Sequence, residues 1–266
     1  AAAAPRFDLN LLVRPDIERW REVRDDPRKP MFPRLTRMAL PPGSVYKAVS
    51  AVALLESGRI TPDQAIDCRG YLDHPGQHRC LIFRHYGVGH GETTLADALC
   101  RSCNVYFFVG ARRAGPRALV DWSKEFGIGQ PTGIDLPFEE PGHLPSPAAK
   151  REPGQKPWYP GDTLGLSIGQ SSLMVTPLQM VRMMAAVAND GWLVTPHLGS
   201  NQGPQLVDES GSFARSIATH PEPRKIPGLH DGTLAAIREG LTLVVEDPRG
   251  TAYKTARLPG ITLAGK

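Results

Sequence analysis

The chain has 266 residues, a net charge of +4, 41% hydrophobic and 22% charged residues, which fits one large soluble-type domain or two small ones. Its Lys and Arg residues alternate with acids, as in RWREVRDDPRK at 19–29, so no basic stripe with interleaved aromatics points to nucleic acid. No stretch reaches the ~18 apolar residues that span a bilayer, and AAAAPRFDLN at 1–10 lacks the pattern of a secretory signal.

In chain order, residues 1–40 carry Pro5, Pro15, Pro27, Pro30 and Pro33 and read as irregular. SVYKAVSAVALLESG (44–58) reads as a helix that is apolar nearly all round, hence buried, with Gly58 as its stop. Residues 62–91 are loop-rich, full of Gly, His and Pro. TTLADALCRSCNVYFFVGARRAG (93–115) gives two helical patterns with a break between Ser102 and Asn104. GPRALVDWSKEFG (115–127) is amphipathic and closed by Gly127. TPLQMVRMMAAVANDG (176–191) has Thr176 as N-cap, Pro177 at the first helical position and Met183 and Met184 in the core. Residues 198–226 read as an exposed, Pro-rich excursion, 232–247 as a helix and LPGITLAGK (258–266) as a strand. No internal repeat is visible. The mixture predicts an α+β fold with helices packed on an antiparallel sheet.

Three stretches carry chemistry. In PPGSVYK, Ser44 opens a helix and Lys47 lies at i+3, on the same face. A serine hydroxyl becomes a nucleophile when a base takes its proton, and a lysine serves as that base when burial or a nearby cation lowers its pKa. In RSCN, alternate side chains place Ser102 and Asn104 on one side and Cys103 on the other. Cys103 then faces the loop that holds Cys68 and Cys80 with His74, His78, His85 and His90. Three thiolates and one imidazole suit a closed tetrahedral zinc site. The residues alone leave other readings open. Cys68–Cys80 or Cys100–Cys103 could be disulfides, Cys100 could replace Cys80 in a C-x-x-C pair with Cys103, or Cys100 could simply be a buried small residue.

Ser-x-x-Lys, Ser-x-Asn and a Lys-[Ser/Thr]-Gly strand, in that order, mark penicillin-binding proteins and serine β-lactamases. Here they stand as Ser44-Val45-Tyr46-Lys47, Ser102-Cys103-Asn104 and Lys266 alone. With GIGQPTGIDLP (127–137), KPWYPGDTLGLSIGQ (156–170) and TPLQM (176–180), the chain resembles the transpeptidase domain of a class B penicillin-binding protein of the elongation type.

That resemblance implies a transpeptidase fold shared with serine β-lactamases: an antiparallel sheet with helices on both faces and an all-helical subregion. It implies Ser44 as the nucleophile acylated by a stem peptide ending in D-Ala-D-Ala, Lys47 as base, Ser102 and Asn104 as relay and substrate contacts, and Lys266 as carboxylate-binding residue. β-Lactams would acylate Ser44 in the same way. It also implies a structural zinc ion on Cys68, Cys80, His90 and Cys103 within a 62–103 loop region, His85 being the alternative to His90. Further implications are an extracytoplasmic site at the bacterial membrane, a membrane-embedded glycan polymerase as partner, and a chain cut at both ends from a longer protein with an anchor and a pedestal. Asp162, Thr163, Gly169 and Gln170 lie in family-like stretches but equally suit turns and packing, and Trp158 and Tyr159 suit a groove or a minor core. The rival expectations are a D-Ala-D-Ala carboxypeptidase or β-lactamase, in which water attacks the acyl-enzyme, and a non-catalytic sensor or scaffold.

Overall fold

The helix that follows Ser44 sets the architecture. Its segment KAVSAVALLE has no hydrated face to offer, and from Lys47 to Leu54 every residue is buried. Such a helix is stable only when neighbours cover it on all sides. The computed structural model describes residues 4–14, 16–147, 157–198, 206–207, 213–214 and 221–266 of the chain.

The elements run α1 (Ile17–Asp25), α2 (Arg34–Arg37), α3 (Lys47–Glu56), β1 (Ile66–Cys68), α4 (Leu81–Tyr86), β2 (Gly91–Thr93), α5 (Leu95–Cys100), α6 (Asn104–Glu125), α7 (Pro160–Ser167), α8 (Pro177–Ala188), β3 (Trp192–Leu193), β4 (Leu206–Val207), β5 (Phe213–Ala214), β6 (Arg224–Lys225), α9 (Asp231–Glu246) and α10 (Tyr253–Ala256). Helix α3 packs between α6 and α9, with α8 nearby, while α5 lies along α9 and α7 against α6. The core includes Tyr46, Val52, Leu54, Leu99, Phe107, Leu119, Phe126, Leu166 and Ile237.

Small residues let the central helices approach. A Cβ on Gly110 would lie 2.5 Å from a methyl of Leu54, so α6 meets α3 through a bare backbone. Helix α6 also bends: Gly115 takes φ +82°, and Pro116 follows it within the helix. The two patterns read from the sequence at 93–115 and 115–127 are thus carried by α5 and one long kinked helix, which Gly127 terminates at φ +75°. Thr176 caps α8 by accepting from the Gln179 amide, and the Gln179 side chain accepts from the Thr176 amide. Met183 is fully buried.

The fold is α+β. Among the described residues, antiparallel pairing takes the form of three two-stranded ribbons, β1–β2, β3–β6 and β4–β5. The β1–β2 register pairs Ile66 with Thr93 and Cys68 with Gly91, which brings the loop region 62–103 back on itself. Two expectations change. Residues 1–40 contain the nine-residue helix α1, because Pro15 and Pro27 bound it instead of interrupting it, and Asp16 caps it by accepting from the amides of Glu18 and Arg19. Residues 258–266 form a tight turn bridged by Leu258 and Ile261 and then run without strand pairing. Their amides find helical partners instead, Leu263 N–H on the Glu246 carboxylate and Gly265 N–H on the Leu241 carbonyl. The expected excursion at 198–226 falls largely outside the described residues.

The α3–α6 contact yields a stability test. Leu54→Ala should cost about 2–5 kcal/mol through the cavity it leaves, and Gly110→Val about 1–3 kcal/mol through overpacking. Because Leu54 and Gly110 face one another, the double variant should lose less stability than the sum of the two in urea titration. Strict additivity would contradict the packing described.

Candidate active site

The PPG turn before Ser44 is built by two glycine backbones in contact. Gly43 takes φ +59° and donates its N–H to the Gly169 carbonyl at 2.9 Å. Gly169 takes φ +71°, and a Cβ there would lie 2.1 Å from the Gly43 carbonyl oxygen. Only glycine fits both the angle and the space. Gly169 therefore acts by holding the Ser44 turn against the end of α7, and the neighbouring Gln170 lines the cleft. Ser44 sits in a single 3-10 turn, Gly43–Tyr46, that feeds directly into α3 at Lys47.

The opposing wall is the turn between α5 and α6. Ser102 adopts a left-handed conformation at φ +54°, a strained choice for a residue with a Cβ. That reversal sends Ser102 and Asn104 toward Lys47 and Cys103 the other way, as the alternation in the sequence implies. Lys47 Nζ donates to the Ser102 carbonyl at 2.9 Å, to Ser102 Oγ at 3.2 Å and to Asn104 Oδ1 at 2.7 Å. Ser102 Oγ is in turn 3.0 Å from Ser44 Oγ, to which it donates. Asn104 is oriented by donating its Nδ2 to the Arg79 carbonyl at 3.0 Å.

Lys47 is fully buried, with its ammonium 5.4 Å from the centre of the Phe107 ring. Burial, reinforced by the positive charge of Lys266, pulls its pKa down to about 7. A lysine so placed exchanges protons readily at neutral pH. The arrangement can therefore pass a proton between Ser44 Oγ and Lys47 Nζ by way of Ser102 Oγ. Lys266 lies behind this wall, donating from Nζ to the Leu99 carbonyl, and burial lowers its own pKa to about 8. Its charge acts on Lys47, but it is not among the residues that line the cleft in front of Ser44.

That cleft has a volume of about 850 Å³ and is floored by Ser44, Ser102, Asn104 and Gln170. Helix α4 forms one side, with Leu81, Arg84, His85 and Tyr86 facing the space. Sequence reasoning gave Arg79, Arg84 and Tyr86 no role. The available signal was their position, since they sit among the Cys and His candidates that flank α4.

Behind the Ser102 turn, Cys68, Cys80, His90 and Cys103 converge, with their ligand atoms all within 4.8 Å of one another. The measured separations are 3.6 Å for Cys68–Cys80, 3.7 Å for Cys80–Cys103 and 3.4 Å from Cys68 Sγ to His90 Nδ1. Zinc bond lengths of about 2.3 Å to sulfur and 2.0–2.1 Å to nitrogen imply tetrahedral edges of about 3.8 and 3.6 Å. The four residues fit that ion in type, number and spacing. Their proton affinities fit it too. Cys68 is held far below the usual thiol range by hydrogen bonds from Cys103 and Cys80, while Cys103 is pushed well above it by hydrogen bonding to Cys68 and Cys80 and by burial. One thiolate forms easily and opposes the next, so complete deprotonation calls for a cation. Burial works against a charged His90, yet its bonds to Cys68 and Cys80 push its pKa up to about 9.

The cluster is wired to the Ser102 turn. Cys103 is the N-cap of α6 and accepts from the Tyr106 amide, and the Cys80 sulfur accepts from the amides of Asn104 and Val105. The positive end of α6 thus faces sulfur. All four cysteines are unbridged. Cys100 stands apart, buried, with its thiol against the Leu243 carbonyl, and His85 faces the cleft instead of the cluster. Asp162 closes the first turn of α7 by accepting from the Tyr159 amide, Thr163 accepts from the Trp158 indole, and Tyr159 is exposed.

Comparison with known proteins agrees with this geometry. The model for the penicillin binding protein transpeptidase domain matches residues 2–266. The peptidoglycan D,D-transpeptidase MrdA of Escherichia coli K12 is 31% identical over 254 residues, 95% of this chain and 39% of that protein, so the chain spans well under half of its relative. Among solved structures, penicillin-binding protein PBP2 of Pseudomonas aeruginosa in complex with WCK 5153 superposes with a TM-score of 0.78 at 31% identity, covering 95% of this chain and 55% of that one. A peptidoglycan synthase complex that coordinates polymerization and crosslinking superposes with a TM-score of 0.79 at 31% identity, covering all of this chain and 42% of its own. With its α+β fold and its Ser44, Ser102 and Lys47 network inside the matched span, the chain belongs to the penicillin-binding protein transpeptidase domain family.

Proposed function

We propose that the protein is the catalytic domain of a peptidoglycan D,D-transpeptidase of the elongation type. The observation that carries this reading is the continuous chain Ser44 Oγ–Ser102 Oγ–Lys47 Nζ, ending on a buried amine with a pKa near 7. Neutral Lys47 accepts the Ser44 proton through Ser102 as Ser44 Oγ bonds to the carbonyl carbon of the penultimate D-Ala. The C–N bond to the terminal D-Ala breaks, and its nitrogen takes the proton from Lys47. The amine of a second stem peptide then attacks the ester, gives up a proton by the same path and leaves as the cross-linked amide, restoring the Ser44 hydroxyl. The Ser44 amide at the helix start is suited to stabilise the oxyanion. Asn104 holds the acyl chain, and the positive charge of Lys266, set behind the wall and outside the cleft, acts by favouring the neutral form of Lys47. An attack by water instead of the amine would give the carboxypeptidase or β-lactamase outcome from the same acyl-enzyme.

Cys68, Cys80, His90 and Cys103 would hold a zinc ion. When bound, zinc supplies structural cross-linking and charge for the thiolates, with no part in the acyl transfer. This chain's own residues do the rest: Cys103 and Cys80 fix the start of α6, and so the Ser102 and Asn104 positions. The site belongs on the outer side of the bacterial membrane, where stem peptides are joined. No described helix is long and apolar enough to cross a membrane. The likeness to a synthase complex coordinating polymerization and crosslinking supports a glycan polymerase as partner.

Incubation with a penicillin followed by intact-mass measurement should show one drug-sized adduct that disappears in Ser44→Ala. A folded protein that never forms the adduct would overturn the enzyme reading and favour a scaffold.

The pH dependence follows from Lys47. Its ammonium form cannot accept a proton, and its lowered pKa leaves it free above about pH 7. The acylation rate should climb about tenfold per unit below that point and level off above it. A flat profile between pH 5.5 and 8, measured by stopped reaction and mass, would remove Lys47 as the base.

Chelation should lower the unfolding midpoint by at least about 5 °C and slow acylation while leaving Ser44 itself intact, both reversed by added zinc. An unchanged midpoint in a protein shown by elemental analysis to have lost metal would sink the structural-zinc reading.

A further inference from the structure

The cleft in front of Ser44 is strongly one-signed. Arg79, Arg84, Arg101 and Arg249 all line it, and among the described residues no carboxylate does. Two of the four are already neutralised. Arg249 is bonded to Asp247 and Asp97, and Arg101 lies 3.9 Å from Asp97 and donates to the His90 carbonyl. Arg79 and Arg84 have no carboxylate partner and no side-chain hydrogen bond among the described residues. Arg79 is half-buried and Arg84 exposed, and both line the cleft with no carboxylate taking their charge.

These two are held in place, which matters more than their charge. Arg79 is bridged across to Tyr71, and its carbonyl takes the Asn104 amide, so its backbone is part of the catalytic wall. Arg84 rides on α4, which is tethered at both ends by residues of the thiol–imidazole cluster, Cys80 as its N-cap and His90 beyond its end. Helix α4 is also seated on the segment that follows β1, residues 70 and 71. A Cβ on Gly70, whose φ is +96°, would lie 2.4 Å from Phe83, and the Phe83 ring stacks edge-on against Tyr71 at 5.1 Å. Gly89 is equally confined, since a Cβ there would meet the Cys68 carbonyl at 1.9 Å. With Phe83 turned inward on these contacts, Arg84, His85 and Tyr86 are left to the cleft side.

We propose that Arg79 and Arg84 are specificity-determining residues that bind a second carboxylate on the peptide, separate from the terminal one beside the reacting amide. A planar guanidinium grips a carboxylate through paired charged hydrogen bonds, and a rigid mount avoids the ordering cost of a floppy one. The group they would hold is a carboxylate carried by the acyl donor upstream of its D-Ala-D-Ala end. The inference rests on the transpeptidase reading above and refines its substrate.

The test compares two depsipeptide donors that share a D-Ala-D-lactate end and differ by one upstream Glu or Gln, reading kcat/KM for acylation by intact mass. The protein as isolated should prefer the Glu donor about tenfold, and 0.5 M salt should shrink that margin. Arg79→Gln combined with Arg84→Gln should bring the ratio to about one, Arg84→Glu should favour the Gln donor, and Arg84→Lys should keep part of the preference. A merely structural role would lower both rates and leave the ratio alone. A ratio near one in the unaltered protein, or one unmoved by the double substitution, overturns the proposal. Penicillin supplies the separate check. An adduct on Ser44 without carboxylate preference removes this inference only, whereas no adduct and no donor reaction removes the transpeptidase reading and this refinement with it.

Discussion

A lysine amine placed inside the protein, where its charged form is costly, is the constraint around which everything else is arranged. Lys47 has no exposure to water, and an isolated buried cation is costly unless it is fully hydrogen-bonded or gives up its proton. The fold supplies three oxygen acceptors from one short turn and keeps a second positive charge, Lys266, close enough to lower the affinity of Lys47 for its proton. A helix that is apolar on every side guarantees the burial. The turn that supplies the acceptors is itself in a conformation that a free serine avoids. That turn needs something behind it.

What stands behind it is the thiol–imidazole cluster. Cys103 lies between Ser102 and Asn104 in the chain, so one tripeptide presents oxygen to Lys47 on one side and sulfur to the cluster on the other. The two sides cannot move independently. Backbone amides of Asn104, Val105 and Tyr106 close the arrangement by donating to sulfur. Hydrogen bonds that hold a turn from behind keep its side chains within a fraction of an ångström of their positions.

Much of this was legible in the sequence for physical reasons. Ser44 and Lys47 share a helix face by spacing alone, and the break at Ser102 interrupts two clear helical periods. Alternation about Cys103 separates sulfur from oxygen. Thr176 and Pro177 announce a helix start. Four ligand atoms at one point were harder to read, because their spacing fits no compact knuckle and four histidines compete for one place. Helix α1 was hidden by counting prolines without asking whether they fall at its ends. The segment 258–266 has strand-like residues, but strand formation depends on a neighbour, and here its amides are taken by α9. The roles of Gly43 and Gly169 were out of reach for a similar reason: the contact joins residues that the chain separates widely, and no local pattern reports it.

The long separation between the two walls of the cleft also bears on how the molecule assembles. Lys47 and Ser102 are 55 residues apart in the chain, and bringing such distant points together carries an entropic penalty that grows with the logarithm of the loop. The ribbon that pairs Ile66 with Thr93 cuts that excursion short from within. Once β1 and β2 have met, α5 and the Ser102 turn hang only a few residues from a fixed point, and the remaining closure is small. The same loop region that backs the active site is thus suited to act early in folding, drawing the second wall toward the first before the buried lysine has its acceptors.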